Sequence, residues 1–244
     1  VAAALAVDHL LLVAAGTWPR SRLLGSNLTR LPPADAGGAV ALTFDDGPDP
    51  EVTPRVLELL DGAGARGSFF CIGRRAERHP EVVAEAVRRG HRIENHTFRH
   101  RHDFSFRGPR ALALEIDRAQ AVLERASGRR PTFFRAPAGI RNPFLDPVLH
   151  RRRLALASWT RRGLDAVDPD PRRVLRRLLR DLAAGDVLLL HDGHTARDRH
   201  GRPVVLEVLP PLLDALAESD LRAVPLPEPR SFTARAPGFG KKSW

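Results

Sequence analysis

The sequence predicts an α/β fold: a barrel of about seven largely parallel strands with helices outside. Three observations predict it. Short apolar runs alternate with longer helix-patterned segments from residue 39 to residue 224, the rhythm of parallel strands joined by crossover helices. The chain has 244 residues, enough for one large domain of the size that single-domain α/β barrels reach. Gly64, Gly90, Gly128 and Gly185 stand just past the ends of helical patterns, where a left-handed cap residue is favoured.

Residues 1–18 are strongly apolar, with Asp8 and His9 near their middle. They predict a helix, interrupted too early for a membrane span of about 20 apolar residues. Two readings stand: a helix that packs on the barrel, or the remnant of an anchor or signal segment that touches a membrane surface, with Arg20 and Arg22 meeting anionic headgroups. A Pro- and Gly-bearing linker covers residues 31–38. Strands are expected at 39–44, 67–72, 92–94, 132–135, 154–158, 187–190 and 221–224, each short and apolar enough to be buried. Between them, residues 53–63, 77–89, 109–126, 171–183 and 204–217 place apolar residues at three- and four-residue spacing with Arg or Glu between, as amphipathic helices require. The organisation expected is an apolar segment and linker (1–38), a catalytic domain (39–226) and a loose basic tail (227–244).

The formal charge of +10 would suit a polyanion. Every cationic residue except Lys241 and Lys242 is arginine, a skew of composition rather than a basic patch, and none of the usual nucleic-acid modules is present. No nucleic-acid partner is expected. Cys71 is the single cysteine, so no intramolecular disulfide can form, and its apolar neighbours predict a core thiol.

The chemistry gathers at strand ends, where barrels keep their working residues. After the first strand, Asp45 and Asp46 stand side by side in Thr43-Phe44-Asp45-Asp46-Gly47-Pro48. Adjacent carboxylates repel, and giving one to a cation leaves the other free to handle a proton. After the third strand, His96 and His100 lie four residues apart; on a helix they would share a face and converge on one ion. Two imidazoles and a carboxylate make an open divalent-metal site. The fourth strand ends in Arg135-Ala136-Pro137-Ala138-Gly139, where Arg135 can orient a carboxylate and a backbone N–H could face an oxyanion. The sixth ends in His191-Asp192-Gly193, placing His191 as a general acid.

Taken together, these peptides resemble the polysaccharide deacetylase family, the NodB homology domain of carbohydrate esterase family 4. The resemblance spans residues 39–224, and both Thr-Phe-Asp-Asp-Gly-Pro and His-Thr-x-x-His are complete. It implies a distorted (β/α) barrel, with Asp45 as general base, His191 as general acid, and Asp46, His96 and His100 as metal ligands. It implies a metal-dependent hydrolase that removes N-acetyl or similar small acyl groups from an amino sugar in a polysaccharide or lipid-linked glycan. The ion expected is zinc, with cobalt or another first-row ion as alternatives; the location expected, from the apolar residues 1–18, is a membrane surface or the cell envelope, with the cytoplasmic face as an alternative. A deformylase or O-acyl esterase would use the same site, and an inactive carbohydrate-binding barrel is the reading from another class.

Two departures stand out. Where the family commonly has Arg-Pro-Pro-Tyr-Gly, this chain has Ala136 and Ala138, so the aromatic is lost while the Ala138 N–H stays available to substrate. The family's Asp-x-x-Asp-Trp pattern aligns with residues 162–166, where only Asp165 survives, expected to orient His191.

Overall fold

A computed structural model describes residues 2–229; Val1 and residues 230–244, most of the expected basic tail, lie outside the described residues. The strands are β1 (Ala39–Asp45), β2 (Ser68–Cys71), β3 (Arg92–Asn95), β4 (Phe133–Phe134), β5 (Ala155–Leu156), β6 (Arg161–Arg162), β7 (Val187–His191) and β8 (Arg222–Val224). They run β5-β4-β3-β2-β1-β7-β6, with β8 against the start of β1, and every pairing is parallel. β1, which pairs with β2, β7 and β8, is buried along its whole length.

Alternation along these strands sorts the core into two layers. Val40, Leu42 and Phe44 face outward with Leu188 and Leu190 to meet the helices. Ala39 and Ala41 face inward with Phe70, Phe133, Trp159 and Leu189. Phe44 stacks on Phe69 at 4.8 Å in the outer layer, and each such ring removed from water contributes roughly 1.5–3 kcal/mol. The inward set continues through Thr43 to Asp45, so the period of the strand itself delivers Asp45 to the barrel interior.

The strand expected at 154–158 is shortened to β5, and a further short strand, β6, follows it. β5 pairs with β4 and β6 with β7, so the ring closes across a bend at residues 157–160. Residues 28–31, at the start of the linker and just before it, fill this seam: the Leu28 N–H donates to Leu156 O at 2.9 Å, the Ser158 N–H to Leu28 O at 2.8 Å, and the Leu31 N–H to Gly185 O at 2.8 Å. Arg30 adds an ion pair to the buried Asp186 at 2.6 Å. The barrel is therefore distorted, with a strap across its gap.

The helices are α1 (Ala2–Thr17), α2 (Val52–Gly62), α3 (Gly73–Arg78), α4 (Pro80–Arg88), α5 (Pro109–Ser127), α6 (Leu145–His150), α7 (Pro171–Leu179) and α8 (Val204–Glu218). The helix expected at 77–89 breaks at His79, because Pro80 brings no N–H and sits instead at the first turn of α4. The helix expected at 171–183 ends at Leu179, where Arg161 takes the carbonyls of Arg180 and Asp181. Gly185 has the left-handed φ of 86° but serves the turn into β7 rather than a helix cap. α6 was not expected.

The end of α1 docks on the loop after β4: Ala15 is buried, and the Arg141 N–H donates to Gly16 O at 2.9 Å. One turn earlier, Leu10, Leu11, Leu12 and Val13 are each 45–69% exposed. Successive helical residues step by about 100°, so this turn stands clear of the barrel on every side. Among the described residues no helix is long and apolar enough to cross a membrane.

Candidate active site

Arg135, immediately after β4, is 0% exposed and occupies the middle of the barrel. A buried guanidinium is tolerated only when its donors are met. Here NH1 donates to Asp45 Oδ1 at 2.6 Å and to Thr43 Oγ1 at 2.9 Å, Nε to Ala157 O at 3.2 Å, and NH2 to Ser158 O at 3.0 Å. The Phe70 ring lies 4.0 Å from the guanidinium carbon. Asp45 is thus fixed by a charge-assisted bond inside the sheet.

The register of β1 against β7 puts His191 directly beside Asp45. His191 Nδ1 lies 2.9 Å from Asp165 Oδ1, and its backbone N–H donates to Asp165 Oδ2 at 2.7 Å. Asp165 is itself wholly buried. Burial alone would lower the His191 pKa, but Asp165, then Asp45 and Asp46, outweigh it and push it up to about 9. The imidazole is therefore held protonated at neutral pH with Nε2 turned to the other side of the ring.

Asp46 leaves the strand with φ 73°, which turns its carboxylate away from that of Asp45. Its Oδ1 lies 3.4 Å from His96 Nε2 and 3.3 Å from His100 Nε2. The helix considered for residues 96–100 is not formed. Asn95 Oδ1 accepts the Thr97 N–H at 2.9 Å and Thr97 Oγ1 accepts the His100 N–H at 2.9 Å, which drives Thr97 and His100 to φ 66° and 51°. These side-chain bonds compete with helix. They bring the two rings to 4.7 Å between centroids all the same.

The donor set fits a cation. Ligand atoms of Asp46, His96 and His100 lie within 4.8 Å of one another, and Asp46 Oδ1 is a buried acceptor with no hydrogen-bond donor. His96 Nδ1 lies 2.9 Å from Arg135 O; a carbonyl can only accept, so Nδ1 carries the proton and Nε2 offers its lone pair. Despite its burial, Asp46 is held well below the usual carboxylate range by the surrounding imidazoles. Burial, against the nearby Asp46 and Asp45, pushes His100 down to about 4. One carboxylate and two imidazole lone pairs are thus directed at one point.

Ala138 sits in a tight turn after β4 with φ 54° and is exposed at the mouth. Beneath it, Trp159 fills the space that a side chain at Gly139 would need, 2.6 Å from where a Cβ would lie.

Comparison with known proteins places these groups in a family. Residues 34–152 match the family model described as polysaccharide deacetylase. A peptidoglycan-N-acetylglucosamine deacetylase of Bacillus cereus is 34% identical over 165 residues, covering 66% of this chain and 75% of the relative. A chitooligosaccharide deacetylase of Azorhizobium caulinodans is 33% identical over 196 residues, covering 78% and 93%. The chain belongs to the polysaccharide deacetylase family. A solved family 4 carbohydrate esterase from Streptomyces lividans, in complex with acetate, superposes with TM-score 0.69 at 30% identity over 77% of this chain and 92% of that one.

Three groups of this family member escaped the sequence reading. Asp192 is buried, accepts from Thr53 Oγ1 at 2.6 Å, and is pushed up to about 7 by burial. It explains Gly47, whose Cβ would lie 2.2 Å from Asp192 Oδ2. His194 and Arg75 lie beside Asp46, with His194 Nδ1 3.2 Å from Asp46 Oδ2. The signal for His194 was present in His191-Asp192-Gly193-His194. Nothing in the sequence pointed to Arg75, which arrives from α3.

Proposed function

We infer that this chain is a hydrolase that removes N-acetyl groups from an amino sugar in a glycan, using a divalent ion held by Asp46, His96 and His100. The observation that carries the reading is the unpaired Asp46 Oδ1 facing two imidazole nitrogens, next to a separately fixed Asp45. When bound, the ion supplies positive charge that polarises the acyl carbonyl and acidifies a water. Zinc suits two imidazoles and one carboxylate, and cobalt accepts the same set.

The chain's own groups divide the remaining work. Asp45, oriented by Arg135, removes the proton of the attacking water. The Ala138 N–H donates to the oxyanion as it develops. His191, held by Asp165 with its proton on, delivers that proton to the departing amine nitrogen from Nε2. The register that sets Asp45 beside His191 supports a base and an acid acting on one acyl group.

The relatives named above act on peptidoglycan and on chitooligosaccharides, which supports a location in the cell envelope. The missing aromatic at Ala138 and the exposed apolar turn at residues 10–13 support a lipid-linked or membrane-proximal amino sugar as substrate. Acetate release from chitooligosaccharides and peptidoglycan fragments, before and after chelation, tests the activity. Turnover should vanish with the ion and return on adding zinc or cobalt; full turnover in a verified metal-free preparation refutes the mechanism. Co-sedimentation with anionic liposomes at low salt should depend on residues 1–18, and an intact chain that ignores such liposomes ends the membrane reading.

A further inference from the structure

The loop after β7 does more than carry His191. Gly193 lies against the backbone of Asp46 so closely that a Cβ on it would come 2.1 Å from Asp46 O and 2.5 Å from Arg75 NH1. The Asp192 N–H donates to Asp45 O at 3.2 Å, which ties the loop to the adjacent pair of acids. Arg75, in the first turn of α3, donates from NH1 to Gly193 O at 2.8 Å and meets His194 Nε2 through NH2 at 2.8 Å. His194 Nδ1 in turn meets Asp46 Oδ2 at 3.2 Å.

Hydrogen-bond chemistry fixes the direction of this chain. A guanidinium can only donate, so His194 Nε2 must accept, and the ring proton must sit on Nδ1. Nδ1–H then donates to Asp46 Oδ2. The two oxygens of Asp46 are thereby made unequal: Oδ2 is engaged by His194, and Oδ1 is left without a donor between His96 and His100.

We propose that Arg75 and His194 form a positioning relay for the metal ligand Asp46, locking the His194 tautomer so that the carboxylate presents only Oδ1 to the ion. The inference rests on the metal reading above, and it assigns to His194 a role outside the ligand set. Outer partners of this kind orient the ligand, and their loss typically weakens metal affinity by about 10–100-fold. The His194 side chain is 56% exposed, so its replacement leaves the core intact.

The test is cobalt affinity, measured by chelator competition on the folded full chain, together with X-ray absorption of the cobalt-loaded protein. His194→Ala should weaken cobalt binding by about 10–100-fold. His194→Asn, whose amide nitrogen stands where Nδ1 stands, should restore most of it. Arg75→Leu, which frees the tautomer but leaves the ring, should fall at the weak end, about tenfold. Absorption should count two imidazoles per cobalt. Unchanged affinity in His194→Ala, failure of asparagine to restore it, or a third coordinated imidazole overturns the relay. A parent chain that binds no cobalt overturns the metal reading instead, and the two failures are thus told apart.

Discussion

Asp45, Arg135 and His191 end strands or follow them at once, and each is held by a buried partner: Asp45 and Arg135 by one another, His191 by Asp165 in the turn after β6. Asp46, His96 and His100 stand just beyond, on turns where Asp46, Thr97 and His100 all adopt positive φ. Regular strands can set neighbouring side chains side by side but cannot point three of them at one centre. The half proposed to handle protons therefore inherits its geometry from the barrel, while the half proposed to hold the ion departs from it. Such backbone costs of order 1–3 kcal/mol at each non-glycine residue and persists only where its surroundings enforce it. Here the Asn95 and Thr97 side chains do so.

The sharpest way to break this division is to exchange the two adjacent acids in turn. Asp46→Asn should lose metal affinity by more than the roughly 100-fold upper end seen for outer partners, and turnover with it. Asp45→Asn should keep its ion and lose about 10²–10⁴-fold in turnover. Elemental analysis of both purified variants decides the matter: equal loss of metal would show that the halves are one unit.

A smaller effect is expected at His191. Its replacement by Asn should lower kcat by about 10²-fold with little change in KM or metal content. Because the proton-bearing form is the one required, activity is lost as pH rises through the folded pKa of about 9, and a cation beside the acids moves that limb lower. The linkage to stability has the same sign: the folded pKa is raised, so stabilisation is complete below the unfolded value of about 6.5 and disappears as pH rises towards 9. A pH–rate profile whose alkaline limb survives in His191→Asn would assign the acid to another group.

The smallest change is expected at Asp165. Removing its charge with Asp165→Asn should return His191 towards its ordinary value near 6.5, leaving about a quarter of it protonated at pH 7 and a roughly fourfold loss of rate there. The alkaline limb should move to lower pH while the metal stays bound. An unmoved limb would mean that Asp165 holds the ring without tuning it.

How much of this was legible follows the same division. Strand-end residues could be read because burial and alternation leave a mark in sequence: Thr43 to Asp45 alternate polar and apolar, and Leu188 to Leu190 form a continuous apolar run that ends at His191. The convergence of His96 and His100 was legible as a pair but not as a turn, since the spacing of four equally suits a helix and the decision falls to hydrogen bonds from Asn95 and Thr97. The break between β5 and β6 was invisible because it depends on Leu28, far away in the chain. Arg75 could not be found for the same reason: in sequence it is one arginine of α3 among many, and only the fold brings it 2.8 Å from His194. The break at Pro80 was the exception, a local signal that the apolar periodicity outweighed.

The strap across the seam also orders the assembly of the molecule in time. Arg30 and Asp186 are separated by 156 positions, and such distant contacts form slowly because a long loop must close first. During synthesis the chain grows from its N-terminus, so residues 28–31 leave the ribosome long before the turn into β7 exists. The strands from β1 to β4 can pair while the strap waits. The ring shuts only when Gly185 and Asp186 arrive, and the same late segment delivers His191. Closure of the barrel and completion of the site therefore depend on the same stretch of chain.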